Sequence, residues 1–215
     1  MYMNDFFFLL KEVCRGKSLL RATLNYRLKK EFLEGHILDL GSGGDDRYSS
    51  YIPRSKDSTY SLFDVKQGEK HVDFETDTLP YETASYQTVL LLNVLEHIFN
   101  YGHLLEETRR IKKNDGMLIG YVPFLHWYHK DPHDYFRYTH ESLEKILHNA
   151  GYTEVTIEKI YRGPYNTAFQ MIHPTLPVFV RPFIFTPLYL CDVLFKTLRP
   201  NSGERYVFGY YFRAR

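Results

Sequence analysis

Residues 37–44 read Ile-Leu-Asp-Leu-Gly-Ser-Gly-Gly and are the stretch that decides the fold. The apolar run is typical of a strand that is buried on both faces, and the glycines after it predict a turn. Gly41 and Gly43 would let the backbone approach a ligand closely, because they carry no side chain that could collide with it. A second strand is predicted from Thr59 to Asp64, and it ends on a carboxylate. Together these features predict a nucleotide-type pocket at the C-terminal end of a strand.

The charges after the turn indicate the kind of nucleotide. In a dinucleotide site a diphosphate lies at the N-terminus of the next helix, where free amides and the helix dipole bind it. Asp45 and Asp46 take that place here and would repel phosphate, and Asp46 also replaces the third glycine of the G-x-G-x-x-G pattern. With Asp39, these carboxylates would favour a ligand that carries a sulfonium cation and an ammonium group. S-adenosylmethionine has this chemistry.

Asp64 follows the turn by about 20 residues, the spacing at which an acidic residue accepts hydrogen bonds from ribose hydroxyls. This feature fits NAD as well as S-adenosylmethionine. An NAD-dependent oxidoreductase therefore remains an alternative, which the two aspartates after the turn disfavour.

Four further segments follow in a recognisable order, namely Leu-Phe-Asp at 62–64, Asp-Phe-Glu-Thr-Asp-Thr-Leu-Pro at 73–80, Val-Leu-Leu-Leu-Asn-Val-Leu-Glu-His at 89–97 and Arg-Ile-Lys-Lys-Asn-Asp-Gly at 110–116. With the glycine turn, they resemble the class I S-adenosylmethionine-dependent methyltransferases over residues 37–160. Asp45 departs from the glycine that many members have there, and Asn114-Asp115 replaces Pro-Gly. The resemblance implies an α/β fold with a doubly wound, mainly parallel, seven-stranded Rossmann-like sheet. The implied S-adenosylmethionine-binding residues are Asp39, Gly41, Ser42, Gly43, Asp64, Val65, Asp73, Phe74, Glu75 and Asn93.

Residues 122–139, after the predicted fifth strand, read Val-Pro-Phe-Leu-His-Trp-Tyr-His-Lys-Asp-Pro-His-Asp-Tyr-Phe-Arg-Tyr-Thr. The part from 132 onward resembles a Pro-x-Asp-Tyr-x-Arg-x-Thr signature of methyltransferases associated with bacterial surface-glycan synthesis. Transfer to a hydroxyl needs a base, for which a histidine is suited. The candidate bases are His97, His126 and His133, and the candidate substrate-binding residues are Trp127, Tyr128, Asp134, Tyr135 and Arg137.

Structural roles without catalysis are also compatible with this segment. Asp134 and Arg137 can form an internal ion pair that pins the loop, and the histidines can be hydrogen-bonded loop residues. A metal site from three histidines and an aspartate is a further alternative. Because the spacing does not match a helical pair and a proline interrupts it, we expect no metal.

Composition agrees with one domain. The chain has 215 residues, is 44% hydrophobic and has a formal net charge of +1, so a full core can form and no strong field recruits nucleic acid. The two cysteines suggest no disulfide framework, which favours a reducing, cytoplasmic location. The apolar start lacks the positive leader of a signal peptide.

Strands and helical patterns alternate along the chain, which predicts a parallel sheet. Strands are predicted at 36–40, 59–64, 70–74, 87–93, 117–122, 153–160 and 206–212, and helices near 47–52, 101–113 and 139–150, the last capped by Thr139. We divide the chain into an N-terminal helical cap (1–34), a cofactor-binding core (35–160), an apolar segment (161–200) and a last, antiparallel edge strand (201–215).

The apolar part at 172–200 contains five prolines and is interrupted by Arg181 and Asp192, so it is not expected to span a membrane. It can cap the substrate pocket, contact the inner face of the membrane peripherally, or form a homodimer surface. The sequence as a whole predicts methyl transfer to a hydroxyl of a sugar, glycan or glycolipid. The alternative is a non-catalytic module or partner subunit that binds S-adenosylmethionine or S-adenosylhomocysteine.

Overall fold

The computed structural model describes residues 5–43, 46–67 and 70–215. The strands are β1 His36–Leu40, β2 Thr59–Phe63, β3 Lys66–Gln67, β4 Lys70–His71, β5 Tyr86–Leu92, β6 Lys112–Pro123, β7 Val155–Tyr161 and β8 Val207–Ala214. The α-helices are α1 Phe6–Cys14, α2 Leu19–Leu28, α3 Tyr101–Ile111, α4 His140–Asn149, α5 Pro164–Ile172 and α6 Arg181–Leu198.

The central sheet has six strands in the order β2-β1-β5-β6-β8-β7. Neighbours among β2, β1, β5 and β6 are parallel, and β8 is antiparallel to both β6 and β7. The predicted α/β fold with a mainly parallel sheet is confirmed. The C-terminal ends of the parallel strands meet at one edge, where such folds bind ligands.

The prediction of seven strands is wrong, because the expected third strand at 70–74 does not join the sheet. Its first two residues form β4, which pairs only with β3 in a two-stranded hairpin. Beyond the hairpin, the Asp73 amide donates to Asp77 Oδ2 over 2.9 Å, and the Glu75 amide donates to Asp73 Oδ1 over 2.8 Å. These side-chain bonds fold the chain into a turn and occupy amides that a strand would offer to its neighbour.

The prediction that β8 lies at the sheet edge is also wrong, although its antiparallel direction is as expected. It lies between β6 and β7, and nearly all of its residues are buried. The ring of Phe212 covers Gly120 on β6, where a Cβ atom would come within 2.1 Å of the ring. The glycine thus makes room for close pairing, and the apolar run of β8 is that of a strand covered on both faces.

The helix predicted near 47–52 is reduced to one 3-10 turn at Ser49–Tyr51. Pro53 disfavours a helical conformation at the preceding residue, and Ile52 is extended with ψ 109°. Asp46 caps this turn, since its Oδ1 accepts from the Ser49 amide over 3.0 Å. Asp45, the other aspartate of the charge argument, lies outside the described residues.

The remaining helices lie close to their predicted positions. The cap of α4 is confirmed, because Thr139 Oγ1 accepts from the Ser142 amide over 3.2 Å and Ser142 Oγ accepts from the Thr139 amide over 2.9 Å. Helix α3 ends two residues earlier than predicted, because Lys112 already pairs with Tyr86 as the first residue of β6.

Helices α1, α2, α5 and α6 share one apolar cluster, which includes Leu9, Leu19, Phe169, Phe185 and Phe208. Asp5 connects these helices to one another. It forms an ion pair of 2.5 Å with Arg162 and accepts a hydrogen bond of 2.8 Å from the Tyr189 hydroxyl. The predicted segments 1–34 and 161–200 therefore pack against each other.

The outer side of this layer exposes large apolar side chains, namely Phe179, Phe183, Leu190, Leu194 and Leu198. Among the described residues, no helix is both long and apolar enough to cross a membrane. Contact of 172–200 with a membrane surface or a second copy stays a prediction.

Candidate active site

The glycine turn lies at the C-terminal ends of β1 and β2. The Gly41 amide donates to the Phe63 carbonyl over 2.7 Å, and the residue has φ +79°. A Cβ atom at this position would come within 2.6 Å of Val94. Ser42 is buried, and within the described part of the chain its hydroxyl has no hydrogen-bond partner. A bare backbone beside an unpaired hydroxyl suits a polar ligand held by the turn.

Asp39 lies beneath the turn and is 1% exposed. Its Oδ2 accepts a hydrogen bond of 2.7 Å from the Tyr60 hydroxyl. Burial raises the pKa of Asp39 to about 7, aided by Asp46 and Asp64 and opposed by Tyr60 and Arg21. The carboxyl group therefore supports the floor of the site and is only partly ionised at neutral pH.

The two acidic segments predicted to bind the cofactor occupy different places. Pairing of Leu40 with Phe63 sets Asp64 beside the glycine turn, where its Oδ1 accepts from the Val65 amide over 2.7 Å. Phe74 instead lies in the core, stacked on Phe63 with ring centroids 6.1 Å apart. The structure brings Asp64 and Val65 to the ligand edge and leaves the Phe74 ring inside the domain.

Asp73 and Glu75 brace neighbouring loops. The Asp73 carboxylate holds the turn described above, and Glu75 Oε1 accepts from the Phe99 amide over 3.1 Å. The Glu75 carbonyl accepts from Asn100 Nδ2 over 2.7 Å, just before α3 begins. In this structure Asp73 holds its own turn, and the polar groups of Glu75 position the start of α3.

Asn93 binds Tyr48, and the ring of Tyr48 contacts a cation that the sequence analysis missed. Asn93 follows β5 with φ +59°, and its Nδ2 donates to the Tyr48 hydroxyl over 2.8 Å. The guanidinium of Arg21 on α2 lies over the Tyr48 ring, 3.8 Å from its centroid, and also donates to that hydroxyl. No local pattern marks Arg21, because only the packing of α2 over the sheet edge brings it here.

We call the segment 124–138 the lid. It is held by the internal ion pair between Asp134 and Arg137 that the sequence analysis gave as one hypothesis. Arg137 contacts Asp134 at 2.5 Å and also donates to the Trp127 carbonyl over 3.0 Å. Burial raises the pKa of Asp134, but the hydrogen bonds from Arg137 and from the His129 amide outweigh this effect and hold the pKa below its usual value. The amides of Tyr135 and Phe136 donate to the Glu96 carbonyl. The lid is therefore tied to the chain that leaves β5.

The predicted bases are only partly brought together. His97 and His126 both face one cleft, whereas the side chain of His133 is exposed and stacks on Tyr135 with ring centroids 5.3 Å apart. The backbone of His133 still contributes, because its carbonyl accepts from His97 Nδ1 over 2.5 Å. Burial lowers the pKa of His97 and lowers that of His126 to about 3, so the His126 ring is neutral at neutral pH.

Two residues near these histidines were missed as site residues. His129 lies between His97 and His126, with ring centroids 4.9 and 4.7 Å away. Glu96 is fully buried with its Oε1 3.7 Å from His97 Nε2, and burial raises its pKa to about 8. Glu96 stands inside the Leu-Glu-His segment that carried the resemblance, but sequence alone gave no sign that its carboxylate points inward.

The predicted substrate-binding aromatics lie around the lid. Trp127 is half-buried against His126, with ring centroids 4.0 Å apart. Tyr128 and Tyr135 are exposed and border a surface depression that Asp134 and Arg137 also line.

A cleft of about 320 Å³ joins the turn to the lid. Its polar lining includes Ser18, Arg21, Ser42, Arg47, Tyr48, Asn93, His97, His126, His129 and Asp131, together with Gly41 and Gly43. A nucleoside ligand on the turn and a polar acceptor under the lid would therefore share one space.

The sheet order, the glycine turn and the position of Asp64 define a class I methyltransferase-type domain. A family model described as a methyltransferase domain matches residues 15–157, which is more than half of the chain. The chain belongs to this family.

Similar solved structures share the fold at low identity. A SAM-dependent methyltransferase from Archaeoglobus fulgidus is 15% identical, with 98% of this chain and 99% of that chain covered and a TM-score of 0.53. A SAM-dependent methyltransferase from Thermotoga maritima, described as a possible histamine N-methyltransferase, is 14% identical, with 94% and 90% covered and a TM-score of 0.53. The cyclase SpnF is 14% identical, with 90% and 81% covered and a TM-score of 0.54.

In sequence, the chain is 34% identical over 99 residues to an uncharacterized protein of Methanocaldococcus jannaschii. The match covers 42% of this chain and 40% of that protein, so it spans less than half of the relative's length.

Proposed function

We propose that the protein transfers the methyl group of S-adenosylmethionine to a hydroxyl of a small acceptor such as a sugar, glycan or glycolipid. The observation that carries the proposal is the single cleft that joins the glycine turn to the histidines of the lid. Membership of the methyltransferase-domain family supports methyl transfer. The polar lining of the cleft supports an acceptor that is rich in hydrogen-bonding groups.

The residues of the turn would hold the cofactor. The bare backbone at Gly41 and Gly43, the buried Ser42 hydroxyl and the Asp64 carboxylate fit a nucleoside with an amino-acid tail. When bound, S-adenosylmethionine supplies a methyl group on a sulfonium, whose thioether leaves without needing a proton.

The residues of the lid would hold the acceptor. The neutral His126 ring can accept a hydrogen bond from an acceptor hydroxyl, which orients the oxygen toward the methyl group. The proton leaves to the ring or to solvent as the new C–O bond makes the oxygen strongly acidic. The Asp134–Arg137 pair keeps the lid over the cleft, which excludes water and fixes the approach of the two reactants. The exposed rings of Tyr128 and Tyr135 offer flat surfaces beside the depression, suited to the apolar faces of a sugar ring.

The fold is shared with a protein described as a cyclase, so the fold by itself does not specify methyl transfer. The second candidate is the non-catalytic binding module, because the glycine turn would bind the nucleoside whether or not an acceptor is methylated. Calorimetry with S-adenosylhomocysteine tests binding, and transfer of isotope-labelled methyl to free, nucleotide-linked and lipid-linked sugars tests catalysis.

Three results are distinguishable. Binding with transfer to a sugar hydroxyl supports the proposal. Binding with transfer to none of the acceptors favours the binding module. Absence of S-adenosylhomocysteine binding in the folded protein, or affinity for NAD equal to that for S-adenosylhomocysteine, overturns the cofactor assignment.

A further inference from the structure

The carboxylate of Glu96 is buried without a partner. The side chain is 0% exposed, and neither of its oxygens has a hydrogen-bond partner among residues 5–43, 46–67 and 70–215. The nearest cationic candidate is His97 Nε2 at 3.7 Å from Oε1, which is too long for a hydrogen bond. Buried carboxylates are normally paired, hydrogen-bonded or bound to a metal ion. A carboxyl group in this position either stays protonated or binds a cation.

His97 is oriented as a metal ligand. Its Nδ1 lies 2.5 Å from the His133 carbonyl and can only donate to that oxygen, so in the neutral ring Nε2 carries the lone pair. The 3.7 Å contact sets this Nε2 near Glu96. Histidines that bind metal commonly donate their other ring nitrogen to a backbone carbonyl in this way.

His129 brings a second imidazole to the same point from the lid. Its Nδ1 is buried and has no hydrogen-bond partner in the described ranges of the chain. One ligand atom each from Glu96, His97 and His129 lie within 4.8 Å of one another. His129 Nδ1 also lies 3.7 Å from Asp134 Oδ2. Three side chains of the types preferred by transition metals thus converge from two separate segments.

We propose that Glu96, His97 and His129 bind a divalent transition-metal ion of the zinc class. Two histidines and a glutamate are a known ligand set for catalytic zinc, with bonds of about 2.0–2.2 Å and a further position left for water or substrate. Shifts of about 1 Å in the side chains would bring the three ligand atoms to the spacing that such bonds require.

The ion would have two consequences for the site. It would join the lid to the chain that leaves β5, because His129 belongs to the lid and the other two ligands follow β5. Because His97 and His129 line the cleft, the open position would face the space in which the acceptor is expected. The sequence analysis expected no metal, because the spacing of the lid histidines does not match a helical pair and a proline interrupts it; Glu96 and His97, which complete the present cluster, lie outside that segment.

Cobalt and zinc alone are suitable probes. The chelator-treated protein is titrated with Co²⁺ while visible absorption is recorded, and Zn²⁺ affinity is measured by competition with a chromophoric chelator. We expect one ion per chain, d–d absorption bands typical of a low-coordinate N/O site, and a higher melting temperature with metal.

Variants assign the ligands. Glu96→Gln and His129→Gln should each weaken Zn²⁺ binding at least 100-fold, because each removes one of three protein ligands. His36→Gln, at the exposed start of β1 and remote from the cluster, is the matched control and should bind as the wild type does.

Several results would overturn the site. One is the absence of stoichiometric Zn²⁺ binding to the wild-type protein. Another is a Zn²⁺ affinity of Glu96→Gln and His129→Gln equal to that of the wild type, and a third is an equal loss of Zn²⁺ affinity in His36→Gln. Since the His129 side chain is 31% exposed, His129→Gln should fold even if Glu96→Gln does not. The readouts are independent of methyl transfer, so failure of the proposed function leaves this test intact.

Discussion

Replacement of Asp39 by asparagine should stabilise the protein at alkaline pH more than at acidic pH. Burial raises the pKa of Asp39 from the usual 3.8 to about 7, while Tyr60 and Arg21 oppose the rise and Asp46 and Asp64 add to it. The folded state therefore holds this proton more tightly than the unfolded chain. As the pH rises from about 4 to about 7, the folded state loses that advantage and the free energy of unfolding falls. Asparagine cannot ionise and escapes this loss.

The magnitude follows from the two pKa values. A pKa of about 7 in place of 3.8 corresponds to about 4 kcal/mol at about 1.4 kcal/mol per pH unit. Linkage with the same values places about 2.5 kcal/mol of the effect between pH 5 and pH 8. Asparagine Oδ1 can still accept from Tyr60, so the change in that hydrogen bond costs about 1 kcal/mol or less at every pH.

The assay is urea unfolding followed by circular dichroism at pH 5 and pH 8 for the wild type and Asp39→Asn. Asp57→Asn, at an exposed position before β2, is the control and should show no comparable pH-dependent difference. The reasoning is refuted if Asp39→Asn changes the free energy of unfolding equally at the two pH values, or destabilises the protein more at pH 8.

Three further predictions concern the cleft. Asp64→Ala should weaken S-adenosylhomocysteine binding by about 1.5–3 kcal/mol, because a charged acceptor for the ribose hydroxyls is lost; unchanged affinity by calorimetry in the folded variant would contradict the ribose assignment. Arg137→Ala breaks the ion pair with Asp134 and should speed limited proteolysis within 124–138, so a cleavage rate equal to that of the wild type would mean that other contacts hold the lid. His126→Ala should lower turnover roughly 10²- to 10⁴-fold and leave S-adenosylhomocysteine affinity nearly intact; full activity would exclude this ring as the proton acceptor.

Features set by neighbouring residues could be predicted from the sequence. The strand and turn at 36–43 and the capped helix α4 were found because apolar runs, glycines and a capping threonine act within a few residues. The lid ion pair between Asp134 and Arg137 was foreseen for the same reason, since the two residues are three positions apart.

Features set by distant residues could not be predicted. The place of β8 inside the sheet depends on the fit of Phe212 over Gly120, which is 92 positions earlier by residue number. Arg21 reaches the cleft because α2 packs over the sheet edge, and Glu96 lies near His129 because the lid folds back on the chain that leaves β5. Periodicity and motif spacing carry no information about such contacts between distant residues.

The interior position of β8 has a consequence for how the chain is made. Synthesis proceeds from the N-terminus, so β6 and β7 leave the ribosome before the strand that separates them. Until residues 207–214 emerge, β6 presents an apolar edge with Leu118, Ile119 and Val122 beside it, and β7 has no neighbour to pair with. An open apolar edge is a template for pairing with other chains. A ribosome that stalls before residues 207–214 are translated would therefore leave both strand edges open to other chains, although most of the sheet has already been translated.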